Sequence, residues 1–135
     1  MARSLVVSDT HALIWYAQGR LNKLGSEARR VFENCDRGRT VVYLPALVLA
    51  ELSEAARTGR VVLPGGFLMW TANLLATGRF FVVDLSWEVL RHAESLYAIP
   101  ERGDRLIAAT AAHLEYPLVT RDPSIAGAAG VEVIW

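Results

Sequence analysis

Apolar and polar positions alternate along this chain in two rhythms. Short apolar runs bounded by polar or turn residues, at Leu5–Ser8, Val41–Leu44, Phe80–Val83, Leu118–Thr120 and Val131–Ile134, predict buried strands. Between them apolar residues recur at helical spacing. Thr10–Gln18 predicts a helix stopped near Gly19. Ser26–Arg37 predicts a second, with Ala28, Val31, Phe32 and Cys35 on one stripe and Gly38 closing it. Pro45 opens a third that runs to about Thr58 and ends at Gly59. Phe67–Thr77, Ser86–Ala98 and Asp104–Glu115 complete the set, stopped by Gly78, Pro100 and the approach to Pro117. Strand and helix in regular alternation imply an α/β chain: a three-layer sandwich around a five-stranded, mainly parallel sheet. With 135 residues and no linker, repeat or low-complexity tract, residues 1–135 read as a single domain.

Composition narrows the class. Hydrophobic residues make up 53% of the chain, too many for a disordered segment. Asp9 and His11 interrupt the first apolar stretch, so no secretory leader is expected, and no run approaches a membrane span. The single cysteine, Cys35, excludes an internal disulfide and suits a reducing cytoplasm; its place on the helical stripe makes it a packing residue. The formal net charge of +0 gives no basic surplus of the kind common in nucleic-acid binders. All the basic residues but Lys23 are arginines, whose planar fork suits phosphate.

Four acids carry the chemistry. Ligands of open α/β sheets bind beyond the carboxyl ends of the strands. Asp9 directly follows the first predicted strand and Asp122 lies just past the fourth, while Glu51 and Asp104 lie near the starts of helices that face the same edge. Asp104 shares a stripe with Ile107, Ala108 and Ala111, and Glu51 sits among Leu47, Val48, Leu52 and Ala55. Partly buried carboxylates crowded together repel one another, and a bound cation removes that cost. An all-oxygen set without cysteine or histidine favours Mg²⁺ or Mn²⁺. Taken singly each acid has an ordinary use: Asp9 and Asp104 as helix caps, Asp122 as a turn residue before Pro123, Glu51 as an arginine's partner. Glu54 could assist Glu51, Asp84 is expected to cap the helix that follows it, and His11 could touch a substrate. Arg102, Arg105 and Arg121 flank two of the acids as candidate phosphate contacts.

The stretches LVVSDTHALIW, LPALVLAEL and GDRLIAATAAHLEYPLVTRD, in this order, resemble the PIN domain and especially the VapC-type toxins of type II toxin–antitoxin systems. The resemblance spans nearly the whole chain, and GDRLIAATA followed by LVTRD is its most specific part. It implies a five-stranded parallel sheet with helices on both faces. It implies a metal-dependent endoribonuclease in which Asp9, Asp104, Asp122 and Glu51 hold the ion and Thr120 orients a carboxylate or a water. RNA phosphodiester bonds would be hydrolysed by in-line attack of a water activated by Mg²⁺ or Mn²⁺. It also implies a homodimer and a cognate antitoxin protein. The apolar Phe67–Trp70 segment, with Leu74 and Leu75, could be a partner patch or simply cover the core.

Three rivals differ on particular residues. A phospho-acceptor receiver domain wants clustered acids after the first strand and a late lysine; this chain has neither. A haloacid-dehalogenase-type phosphatase wants Asp-x-Asp there, and the third position is His11. A PIN fold kept only to bind RNA or protein, without turnover, keeps the same acids and separates only by assay.

Overall fold

The computed structural model describes residues 3–128 and 130–135. In chain order its elements are β1 (Ser4–Ser8), α1 (Thr10–Ala17), a 3-10 turn (Leu21–Lys23), α2 (Ser26–Asp36), β2 (Thr40–Pro45), α3 (Ala46–Arg57), α4 (Phe67–Ala76), β3 (Phe80–Val83), α5 (Trp87–Ala93), α6 (Arg102–Leu114), β4 (Leu118–Val119), α7 (Pro123–Ala126) and β5 (Val133–Ile134). The five strands form one sheet in the order β3-β2-β1-β4-β5, every neighbouring pair parallel. The expected architecture is therefore the observed one.

Strand order explains the layers. The steps β1 to β2 and β2 to β3 move one way along the sheet, whereas β3 to β4 moves the other way. Right-handed crossovers send the intervening helices to opposite faces. Neighbouring residues of β3 record this. Phe80 is buried and meets Tyr16 of α1 (ring centroids 5.6 Å), which in turn stacks on Phe32 of α2 at 4.8 Å. Phe81 points to the other face and stacks on Tyr43, which in turn meets Tyr116. The inner strands are apolar on both faces: Val6, Val7, Val42, Leu44, Leu118 and Val119 are all buried, as a covered parallel sheet requires. Cys35 is fully buried on the core side of α2, as its stripe predicts.

Four local expectations give way. The helix expected over Ser86–Ala98 ends at Ala93, and tight turns follow (Leu96 N–H to Ala93 O at 3.0 Å, Ile99 N–H to Leu96 O at 2.9 Å) that carry Leu96 and Ile99 into the core. Pro100 reinforces this by disfavouring helical backbone at Ile99. Asp84 does not cap α5; the Ser86 hydroxyl does, accepting from the Val89 amide at 3.2 Å. The helix expected from Asp104 starts earlier, at Arg102, because the Glu101 carboxylate caps it through the Gly103 and Asp104 amides. Beyond Asp122 the chain forms a short helix, α7, with Pro123 at its first position.

Candidate active site

Each of the four acids reaches the carboxyl edge of the sheet on a different element. Asp9 follows β1 and is the N-cap of α1, its Oδ1 accepting from the Ala12 amide at 2.8 Å. Asp122 lies past β4 and caps α7; one of its oxygens accepts from both the Ser124 amide (2.9 Å) and the Ser124 hydroxyl (2.8 Å). Capping and site geometry therefore coincide at these two positions: the cap engages one carboxylate oxygen and fixes the side chain's direction. Asp104 stands in the first turn of α6, and Glu51 in the second turn of α3. Among the described residues Glu51 forms no ion pair with an arginine; the Thr10 hydroxyl donates to its Oε1.

The acids influence one another. Asp104 feels Asp122 most strongly, and also the charges of Glu101 and Glu51. Asp9 feels the charge of Asp122. Burial, then the hydrogen bond to Asp122, then the neighbouring negative charges push Asp104 up to about 7. Burial also pushes Asp122 upward, but the hydrogen bond from Asp104, the two from Ser124 and the charge of His11 outweigh it, and Asp122 lies below the usual carboxylate range. Two neighbouring carboxyls cannot both ionise freely, so their titrations belong to the pair. Asp9 is raised, chiefly by burial; hydrogen bonds from the Thr120 hydroxyl and the Ala12 amide hold it back. Thr120 is buried, and its oxygen accepts from the Asp122 amide at 3.1 Å.

Asp9, Asp104 and Asp122 line a cavity of about 280 Å³ together with His11, Trp15, Arg121, Pro123 and Trp135. Glu51 stands behind this wall, its Oε2 3.2 Å from where a Cβ on Gly103 would lie. Among the described residues no group of three or more Asp, Glu, His or Cys side chains is arranged to hold a metal ion. Mg²⁺ itself takes only one or two carboxylates and fills its remaining positions with water and substrate phosphate.

The candidate arginines separate. Arg121 lines the acid cavity. Arg105 turns away: its guanidinium lies 4.4 Å from the Tyr97 ring centroid and donates to the Ile99 carbonyl at 3.0 Å. With Arg102 it lines a neighbouring cavity of about 380 Å³ beside Trp87 and Tyr97. Glu54 pairs with Arg57 on the exposed side of α3, away from Glu51's partners. The sequence reading missed Thr10, Trp15, Ser124 and Trp135. Thr10 and Ser124 could have been found as hydroxyls adjacent to two predicted acids; the tryptophans carried no such signal.

Fold and site together define a five-stranded parallel α/β domain with acids gathered beyond the carboxyl ends of its strands. The PIN-domain family model matches residues 6–131, and the chain belongs to that family. Comparison with curated protein sequences gives no match. Among solved structures the fold is similar to a chain of VapBC2 from Rickettsia felis bound to a promoter DNA fragment, with TM-score 0.69 and 16% identity over 96% of this chain and 97% of that one. It is similar to a chain of DNA-bound VapBC from Salmonella typhimurium, with TM-score 0.69 and 20% identity over 99% and 98%. VapBC-5 from Mycobacterium tuberculosis aligns with TM-score 0.61 and 20% identity over 97% and 98%.

Proposed function

We propose that this chain is a Mg²⁺- or Mn²⁺-dependent endoribonuclease and the toxin of a toxin–antitoxin pair. The observation that carries the reading is the delivery of Asp9, Glu51, Asp104 and Asp122 by four separate elements to one edge, three of them in one cavity. The residues that would hold the ion are Asp9, Asp104 and Asp122, with Glu51 completing the set. Bound there, a hard dication supplies Lewis acidity at the phosphate and lowers the pKa of water.

The chain's own groups do the rest. Thr120 orients Asp9, Thr10 orients Glu51 and the Ser124 hydroxyl and amide orient Asp122. Arg121 meets the phosphate inside the cavity, while Arg102 and Arg105 lie along the path by which the strand arrives. In the hydrolysis a water oxygen bonds to phosphorus, the bond to the leaving ribose oxygen breaks, and that oxygen takes a proton.

The partners proposed are RNA as substrate, a cognate antitoxin and a second copy of the chain in a homodimer. The VapBC neighbours are toxin–antitoxin complexes, which supports the antitoxin. An apolar surface suited to a protein partner is at hand on α4: Leu74 is buried, but Leu68 is 80% and Met69 59% exposed. No helix among the described residues is long and apolar enough to cross a membrane, and the cytoplasm is the proposed compartment.

The test is cleavage of RNA by the purified protein with Mg²⁺, with a chelator, and with Asp9→Asn. Calorimetric titration of Mg²⁺ into both proteins without RNA gives a second readout. Fragments that need Mg²⁺ and vanish in Asp9→Asn, with weaker ion binding in that variant, are expected. Fragments that persist in chelator, or in Asp9→Asn, overturn the reading.

A further inference from the structure

The lining of the acid cavity is partly aromatic. Trp15 and Trp135 share it with Asp9, Asp104, Asp122 and Arg121. Trp15 stands one helical turn beyond His11 on α1, so both side chains project to the same edge. Trp135 directly follows β5. Its carbonyl accepts from the Glu27 and Ala28 amides at 3.1 and 3.2 Å, the free donors at the start of α2. Gly25, the N-cap of that helix, makes room for it: a methyl there would lie 2.6 Å from the Trp135 carbonyl carbon and from its indole Cδ1. Both indoles rest partly on the core, so they are held in place while remaining half-buried. An arginine attends each: Arg121 lies 5.9 Å from the Trp135 ring centroid and Arg20 6.0 Å from that of Trp15.

Fixed aromatic faces flanked by arginines are how proteins hold unpaired bases, the rings taking the base and the cations its phosphates. A core-filling role alone leaves unexplained why two indoles face into an acid-lined cavity. We propose that Trp15 and Trp135 form a stacking subsite for one nucleobase of single-stranded RNA, beside the phosphate that is cut. The subsite rests on the nuclease reading, and it makes these residues determinants of where along an RNA the enzyme engages. Its ligand is the base, and the acid row and Arg121 handle the backbone.

The experiment uses the full chain carrying Asp9→Asn, so that RNA survives, and follows tryptophan emission. The probes are a short single-stranded oligoribonucleotide and an abasic ribose-phosphate oligomer of equal length. The RNA is expected to quench emission and bind at least ~5-fold more tightly than the abasic chain, the margin a stacked base supplies. Trp15→Leu and Trp135→Leu should each shrink that margin while leaving abasic binding unchanged, and Trp135→Phe should restore part of it. Equal binding of the two probes, binding of neither, or an equal loss for both probes in the leucine variants overturns the subsite. Cleavage by the unsubstituted chain with Mg²⁺ is measured alongside. Its absence with the base margin intact overturns the nuclease reading and leaves the subsite standing as part of an RNA-binding module.

Discussion

Asp104 of α6 and Asp122 of the β4–α7 turn line one cavity, and the nearness of Asp122 adds to burial in pushing Asp104 up. Asp104 has an ordinary value of 3.8 and is pushed up to about 7 in the fold, so the folded chain binds more protons than the unfolded chain between those values. Stability from this group is therefore complete below about pH 4 and is lost as the pH rises through about 7. Asp122 is lowered, so its opposite contribution falls below its ordinary value of 3.8, outside this window. Asp104→Asn keeps a donor toward Asp122 and removes the charge. In chelator it should match the parent near pH 4 and exceed it at pH 8, by no more than about 1 kcal/mol because Asp104 is open to solvent screening. Thermal unfolding across that range checks it. A variant whose advantage shrinks toward pH 8 contradicts the raised Asp104. Mg²⁺ at pH 8 should stabilise the parent more than the variant, since an ion that binds only the folded state adds to its stability.

The link between Thr10 and Glu51 gives a separate prediction. Thr10 is next to Asp9 in sequence, and its hydroxyl is the group that holds Glu51. Thr10→Val preserves the shape of the side chain and removes the donor. The fold should lose about 1 kcal/mol, the net worth of one such bond. RNA cleavage should fall about tenfold, because a misplaced carboxylate slows chains that remain fully folded. Thr10→Ser should recover most of the activity. Cleavage rates and denaturant midpoints measured on the same preparations separate the two effects; a proportionate loss of both would make Thr10 a structural residue only.

What could be read from the sequence follows the range of the interactions concerned. Asp9 and Asp122 were legible because strand ends and the acids after them are local features. Asp104 and Glu51 were legible because each acid stands in an apolar stripe, and helical spacing alone reveals it. The Thr10–Glu51 bond spans 41 positions, and no local pattern signals it. The anchoring of Trp135 by the amides of Glu27 and Ala28 joins the last strand to the second helix, a tertiary relationship with no periodicity. The early end of α5 has the same origin: Leu96 and Ile99 continue an apolar spacing that suits a helix, and the core takes them in from turns instead. α7 is too short to show any period.

Arg121 and Arg105 were equal candidates by sequence, and their surroundings now set them apart. Arg121 lines the acid cavity, whereas Arg105 is committed to Tyr97 and the Ile99 carbonyl. Arg121→Ala should weaken RNA binding and reduce the slope of log affinity against log salt by about one. Arg105→Ala should cost about 1 kcal/mol of stability through the lost carbonyl bond and ring contact. Its effect on the salt slope should be the smaller of the two. Binding isotherms at several salt concentrations, with unfolding curves for each variant, decide it; a larger slope change for Arg105 would move the phosphate path to the Tyr97 cavity.

Glu115 tests the backbone rather than the site. It ends α6 with φ 58 and ψ 38, the left-handed conformation, and it is the only non-glycine with positive φ among the described residues. A side chain there costs about 1–2 kcal/mol through crowding of its Cβ against the following carbonyl. Glycine removes that strain but gives the unfolded chain more freedom, at a cost of about 0.5–1 kcal/mol. Glu115 is exposed and makes no side-chain hydrogen bond or ion pair among those described, so little else changes. Glu115→Gly should therefore stabilise the protein by about 0.5–1 kcal/mol, the difference between the two terms. It should leave RNA cleavage unaltered, since Glu115 lies at the opposite end of α6 from Asp104. A denaturant midpoint lower than the parent's would mean that the left-handed turn is held for a reason other than chain reversal.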